Sequence, residues 1–155
     1  MSTEAQQQWQ QWRKSRTETV AEPYGPLALT GTHWLADHPD GSVPGVPGHW
    51  ARSPDGDAVL LTAAPGDGLT LDGTPASGET RLTADPSPAA ARVAHGGRHL
   101  VVLCREGLWA VRVFDPAAPA RRAFSGIDAF AYDERGTRLC RVTRFCCRYV
   151  GRACG

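Results

Sequence analysis

Leu108-Trp109-Ala110-Val111-Arg112-Val113-Phe114, bounded by Glu106-Gly107 before it and Asp115-Pro116 after it, is the stretch whose reading decides the fold. A short run of aromatic and β-branched residues between two turn signals describes a β-strand. Alternation along that strand puts Trp109, Val111 and Val113 on one face and Leu108, Ala110, Arg112 and Phe114 on the other. Arg112 thus emerges among apolar neighbours on a half-buried face. It calls for a carboxylate or backbone carbonyls as partner, because an unpaired buried charge costs about 3–5 kcal/mol.

Outward from this strand the same pattern recurs. Residues 58–62 (Ala-Val-Leu-Leu-Thr) form a buried-strand run, Leu69-Thr70-Leu71 alternates, and Asp72-Gly73 marks a hairpin turn. Residues 79–83, 91–94 and 99–104 read as further strands. With 17 Gly and 12 Pro in 155 residues, the composition suits short strands joined by turns better than a helical bundle. The expected fold is therefore mainly β: a single antiparallel, sheet-rich domain, sandwich- or barrel-like, with an N-terminal helix. A chain of this size buries roughly 70% of its unfolded surface, enough for one core.

The helix starts from Thr3, three residues before Gln6, which fits a capping box, and Pro23 ends it at the latest. Trp9 and Trp12 share one of its faces and are expected to pin it to the body rather than to stack on a ligand. Residues 24–50 read as an irregular, turn-rich segment with four prolines, the sort of loop that lines a site, within which Leu27-Ala28-Leu29 and Thr32-His33-Trp34-Leu35 form short extended or helical pieces. The domain reading is residues 1–23 as helix and cap, 24–135 as the β-rich domain, and 136–155 as an atypical Arg- and Cys-rich tail.

The net charge of +1 conceals an uneven distribution: residues 135–155 carry +6 and residues 1–134 carry −5. A mildly acidic body offers no electrostatic footprint for nucleic acid, so no such partner is expected. No apolar run long enough to span a bilayer occurs, and the polar N-terminus lacks a signal-peptide h-region. The expectation is a soluble, cytoplasmic protein without a membrane partner, its five cysteines kept as thiols. Lys14 is the single lysine, while Ala, Gly, Pro and Arg abound, which is the mark of a GC-rich gene.

Several blocks occur in order: Gly31-Thr32-His33-Trp34-Leu35, Pro44-Gly45-Val46-Pro47-Gly48, His99-Leu100-Val101-Val102-Leu103, Arg105-Glu106-Gly107, Val111-Arg112-Val113-Phe114-Asp115-Pro116 and Phe124-Ser125-Gly126-Ile127. Together they resemble a bacterial family of domains of unknown function, the one numbered sixteen eighty-four, over about residues 9–134. The resemblance implies a mostly β fold and carries no assigned activity. It also implies a Trp-containing strand and a further strand-rich half after Phe130-Ala131-Tyr132-Asp133. Here the chain instead runs into residues 136–155, which hold Cys140, Cys146, Cys147 and Cys154. An out-of-frame GC-rich gene yields that mixture, so the expectation is a frameshift near Arg135 that truncates the domain.

No Gly-rich phosphate loop, Gly-x-Ser-x-Gly elbow or His-Glu-x-x-His motif is present, and no catalytic residue, metal or cofactor is assigned. Adjacent Cys146 and Cys147 do not make the Cys pair of a zinc knuckle, two to four residues apart. His99 and Cys104 fall on opposite faces of one strand and cannot form a local dyad, which leaves Cys104 as a buried structural thiol. His33, Asp37, His38 and His49 are the densest collection of acid-base groups, at a spacing that fixes no metal geometry. Arg105 and Glu106 are expected to bracket a turn as a structural ion pair. The reading that follows is a small-molecule-binding β domain whose candidate site residues are His33, Trp34, His49, Trp50, Arg105 and Arg112. Its alternatives are a hydrolase-like enzyme using His33 or His49 with Asp37, and a nonfunctional truncated remnant.

Overall fold

The structure is a computed structural model and describes residues 4–128. Residues Thr17–Ser125 form one compact unit, to which the described residues 4–16 and 126–128 do not belong. The expectations for the tail and its cysteines lie outside the described residues.

Helix α1 runs Glu4–Ala21 and ends where Glu22 and Gly25 turn the chain ahead of and behind Pro23. None of its residues is buried. The guanidinium of Arg13 lies over the Trp9 ring at 5.7 Å. Trp12 is 60% exposed. Among the described residues no helix is long and apolar enough to cross a membrane.

The mainly β expectation is met within Thr17–Ser125. The strands are β1 (Leu29–Trp34), β2 (His49–Arg52), β3 (Val59–Ala63), β4 (Leu69–Leu71), β5 (Thr74–Pro75), β6 (Gly78–Leu82), β7 (Val93–His95), β8 (Arg98–Arg105) and β9 (Leu108–Phe114); a short helix α2 (Pro119–Arg122) follows. They pair antiparallel in two sheets, one in the order β1-β9-β8-β7-β4-β5 and one in the order β2-β3-β6. The tight turns are local in origin. Asp72 and Gly73 have φ of 49° and 81°, and Glu106 and Gly107 have φ of 53° and 78°. Two successive positive φ values make the turn whose twist matches a hairpin, and Gly in the second place adopts it without strain.

The segment 24–50 is more regular than expected, for β1 lies within it and β2 begins at its end. Leu29-Thr30-Gly31-Thr32-His33-Trp34 lacks an apolar alternation because β1 is the outer strand of its sheet and pairs on one side, with β9.

The two sheets share one core. Trp50, Val59, Leu61 and Leu82 from the three-stranded sheet meet Leu69, Val93, Leu100, Val102, Val111 and Val113 from the six-stranded one, which makes the arrangement a sandwich rather than a closed barrel. Val43 and Val46 of the loop between β1 and β2 join the same cluster. Trp109 and Val111 point into this core as their alternation requires, while Ala28, Val101 and Phe114 form a second cluster on the other face. Beyond the end of β7 the edge of β8 is closed by Asp85. Its backbone N–H donates to Val102 O at 2.8 Å, and its carboxylate accepts from Val102 N at 2.7 Å. A single residue thereby satisfies groups that a longer strand would have paired.

Two expectations are corrected here, that for Cys104 and that for Arg105 with Glu106, and one atom of Arg112 departs from the pairing expected of it. The Nε of Arg112 is buried without a hydrogen-bond partner among the described residues. Its register neighbours are Thr32 and Val101, neither a carboxylate, and the nearby backbone carbonyls are engaged in the ladders of a strand paired on both sides. Cys104 is exposed rather than buried, since it sits near the end of β8 where the hairpin runs out past the core. Arg105 and Glu106 do occupy the turn, but both are exposed and no ion pair joins them among the described residues.

Candidate binding cleft

The 3-10 turn Leu35–Asp37 continues β1, and its Leu35 dips into the core at 7% exposure. Opposite it stand β2 and the tip of the β8–β9 hairpin. Between the three lies a cleft of about 440 Å³, lined by Leu35, Ala36, His38 and Pro39 from the first, Trp50, Ala51 and Arg52 from the second, and Gly107, Leu108 and Trp109 from the third. The volume falls in the range of ordinary small-molecule sites, roughly 300–1,000 Å³.

The apolar floor is backed by two indoles whose N–H groups are already used. Trp50, fully buried, donates from Nε1 to Pro47 O at 2.9 Å. Trp109, 7% exposed, donates from Nε1 to Gly56 O at 2.9 Å. Neither indole leaves a free donor at the cleft: Trp50 lies behind the wall without exposed surface, and Trp109 shows only a small edge. Leu108 forms the lip and is 55% exposed.

The Gly56 carbonyl belongs to the β2–β3 connection, a rigid turn. Ser53 is buried; its N–H donates to Ala58 O and its hydroxyl accepts from Ala58 N and donates to Asp55. Arg81 pairs with Asp55 at 2.7 Å. The Ser53 hydroxyl first, then Arg81, hold the Asp55 carboxyl far below the usual carboxylate range. Arg52 lies back over this turn, its Nε 3.4 Å from Gly56 O. A Cβ at position 56 would come within 2.5 Å of Arg52 Nη2, so glycine there lets the guanidinium lie flat at the rim.

His38 stands on the opposite rim, its ring centroid 5.9 Å from that of His33. Burial first, and then the charge of His38, push the His33 imidazole below the ordinary histidine value. Because folding lowers this group's affinity for protons, its stabilising contribution is complete above about pH 6.5 and is lost as pH falls from there through the folded value. His33→Gln is accordingly expected to flatten the decline of melting temperature between about pH 7 and 5 relative to the parent chain. Superimposable pH profiles would show that His33 is not perturbed.

Of the six residues expected at a site, Trp50 alone lines the cleft. His33 is one step removed, through His38. Trp34 pairs with Ala110 on β9, on the opposite face of β1 from His33. His49 packs its ring on Gly41, Arg105 is exposed at the end of β8, and Arg112 sits on the outer face of the larger sheet. Sequence reading passed over Leu35, Arg52 and the cleft-lining role of Leu108 and Trp109. The available signal was the Trp50-Ala51-Arg52 triplet, which on a strand puts an indole and a guanidinium on one face. Among the described residues no three His, Cys, Asp or Glu side chains come together to hold a metal ion.

Fold and cleft together define a two-sheet antiparallel β domain with a surface cavity floored by tryptophan. Compared with family models, with curated proteins and with solved structures, the chain matches none.

Proposed function

We propose that Thr17–Ser125 is a small-molecule-binding β domain and that the tryptophan-floored cleft is its site. The observation that carries the reading is the pairing of a preformed cavity of about 440 Å³ with two indoles locked by their own hydrogen bonds. Such a site is organised before a ligand arrives, so little ordering entropy opposes binding. The family resemblance belongs to the same proposal. Two of its blocks, Gly31-Thr32-His33-Trp34-Leu35 and Arg105-Glu106-Gly107, each contribute a residue to the wall of the cleft, Leu35 and Gly107. A cytoplasmic location is part of the proposal too, for it keeps the exposed Cys104 reduced.

The test is a thermal-shift screen of a metabolite library against the full chain and against Ala36→Trp, which fills the cleft from its exposed rim. Compounds that raise the melting temperature of the parent chain and not of the variant are expected. Hits that stabilise both equally would place binding elsewhere and end the proposal. Every hit is also assayed for turnover. Conversion that disappears in His33→Ala or His49→Ala would replace binding with the hydrolase reading.

A further inference from the structure

We infer that the cleft takes an organic carboxylate with an apolar body, anchored through Arg52. This rests on the binding reading above and names the ligand class. Thr17–Ser125 contains eight arginines and twelve carboxylates, a net charge of −4. Against that background the cleft wall is inverted in sign: it holds Arg52 and His38 and no Asp or Glu. Asp55, in the turn after β2, is engaged by Arg81 and Ser53, and Arg52 makes no ion pair among the described residues.

The guanidinium is held at one nitrogen. Its Nε reaches Gly56 O, and among the described residues the two Nη groups make no hydrogen bond. Two parallel donors in a fixed fork match the two oxygens of a carboxylate. A single formal positive charge suits a monoanion, whereas a phosphate dianion would call for further donors, and the indole N–H groups are spent on Pro47 and Gly56. Below the rim the apolar surface offered is chiefly Leu108, 55% exposed, with the small exposed parts of Leu35 and Trp109, which suits a hydrocarbon body. The polar end is thereby fixed at Arg52 and the apolar end against Leu108 and the exposed edge of Trp109.

The probes are phenylacetate, 3-phenylpropionate and indole-3-acetate, each paired with its neutral amide, and inorganic phosphate, titrated into the full chain by calorimetry. At least one acid is expected to bind at least tenfold tighter than its amide, and more weakly as ionic strength rises. Arg52→Gln is expected to erase that tenfold preference with little change in melting temperature; Arg52→Lys, which keeps the charge and loses the fork, should fall between. Equal affinity for acid and amide, or a preference that survives Arg52→Gln, would overturn the carboxylate inference and leave the cleft as a neutral binding site. Saturation by phosphate that competes with the acids and exceeds them in affinity would also overturn it. If no acid or amide binds and phosphate does not either, this inference falls together with the binding reading.

Discussion

Trp109→Ala is expected to destabilise the domain by about 3–5 kcal/mol, the range for truncating a large core aromatic. The indole lies inside the shared core of the two sheets, and its Nε1 ties β9 of one sheet to the Gly56 carbonyl beside the other. Two contributions are thus removed together, and Trp109→Phe separates them. Phenylalanine keeps most of the buried surface and loses the hydrogen bond, while Gly56 O retains the Arg52 contact. The phenylalanine variant should therefore cost only about 1 kcal/mol. Urea denaturation with a common slope measures both. A change below about 1 kcal/mol for the alanine variant, ordinary for a surface site, would remove Trp109 from the core.

Trp50→Ala should be at least as damaging, again about 3–5 kcal/mol, because this indole has no exposed surface at all. It also organises the loop between β1 and β2. The Nε1 group holds Pro47 O, and its backbone N–H holds Gly41 O at 2.9 Å. Loss of the ring leaves a void that opens into the cleft, so the variant is expected to enlarge the cavity and free residues 41–47. Amide exchange at Gly41 and Val46 should accelerate along with the fall in global stability. Trp50→Phe, which cannot reach Pro47, should show the faster exchange with a smaller loss of stability. Unchanged exchange in both variants would mean that the loop is held by Val43 and Val46 alone. The two tryptophans belong to one core cluster, so their combined replacement is not expected to be additive.

The amount of this molecule legible in its sequence follows the range over which each physical cause acts. Alternation in Leu108–Phe114 and the Asp72-Gly73 and Glu106-Gly107 turns are settled by pleat geometry and positive φ within a few residues. That is why β9, its faces and both hairpins were readable. β1 was legible only in part, as a short piece at Thr32–Leu35 left open between extended and helical, since an outer strand with Gly31 and two threonines needs no apolar face to be held by β9. The fate of Cys104 also lay beyond local pattern: the alternation gives it a face of the strand but not how far the partner sheet extends over that face.

The sequence by itself determined that the domain is mainly β, where its strongest strand and tight turns lie, and that Trp109 and Val111 face a core. Tertiary structure alone decided that two sheets share that core, that Trp109 reaches a carbonyl 53 positions away, and that Arg52, His38 and Leu108 converge on one cavity. The reason is the nature of the driving force. Burial of apolar surface is non-directional and specifies which face of a strand must be covered, whereas the element that covers it is chosen by packing and by the hydrogen bonds left to satisfy.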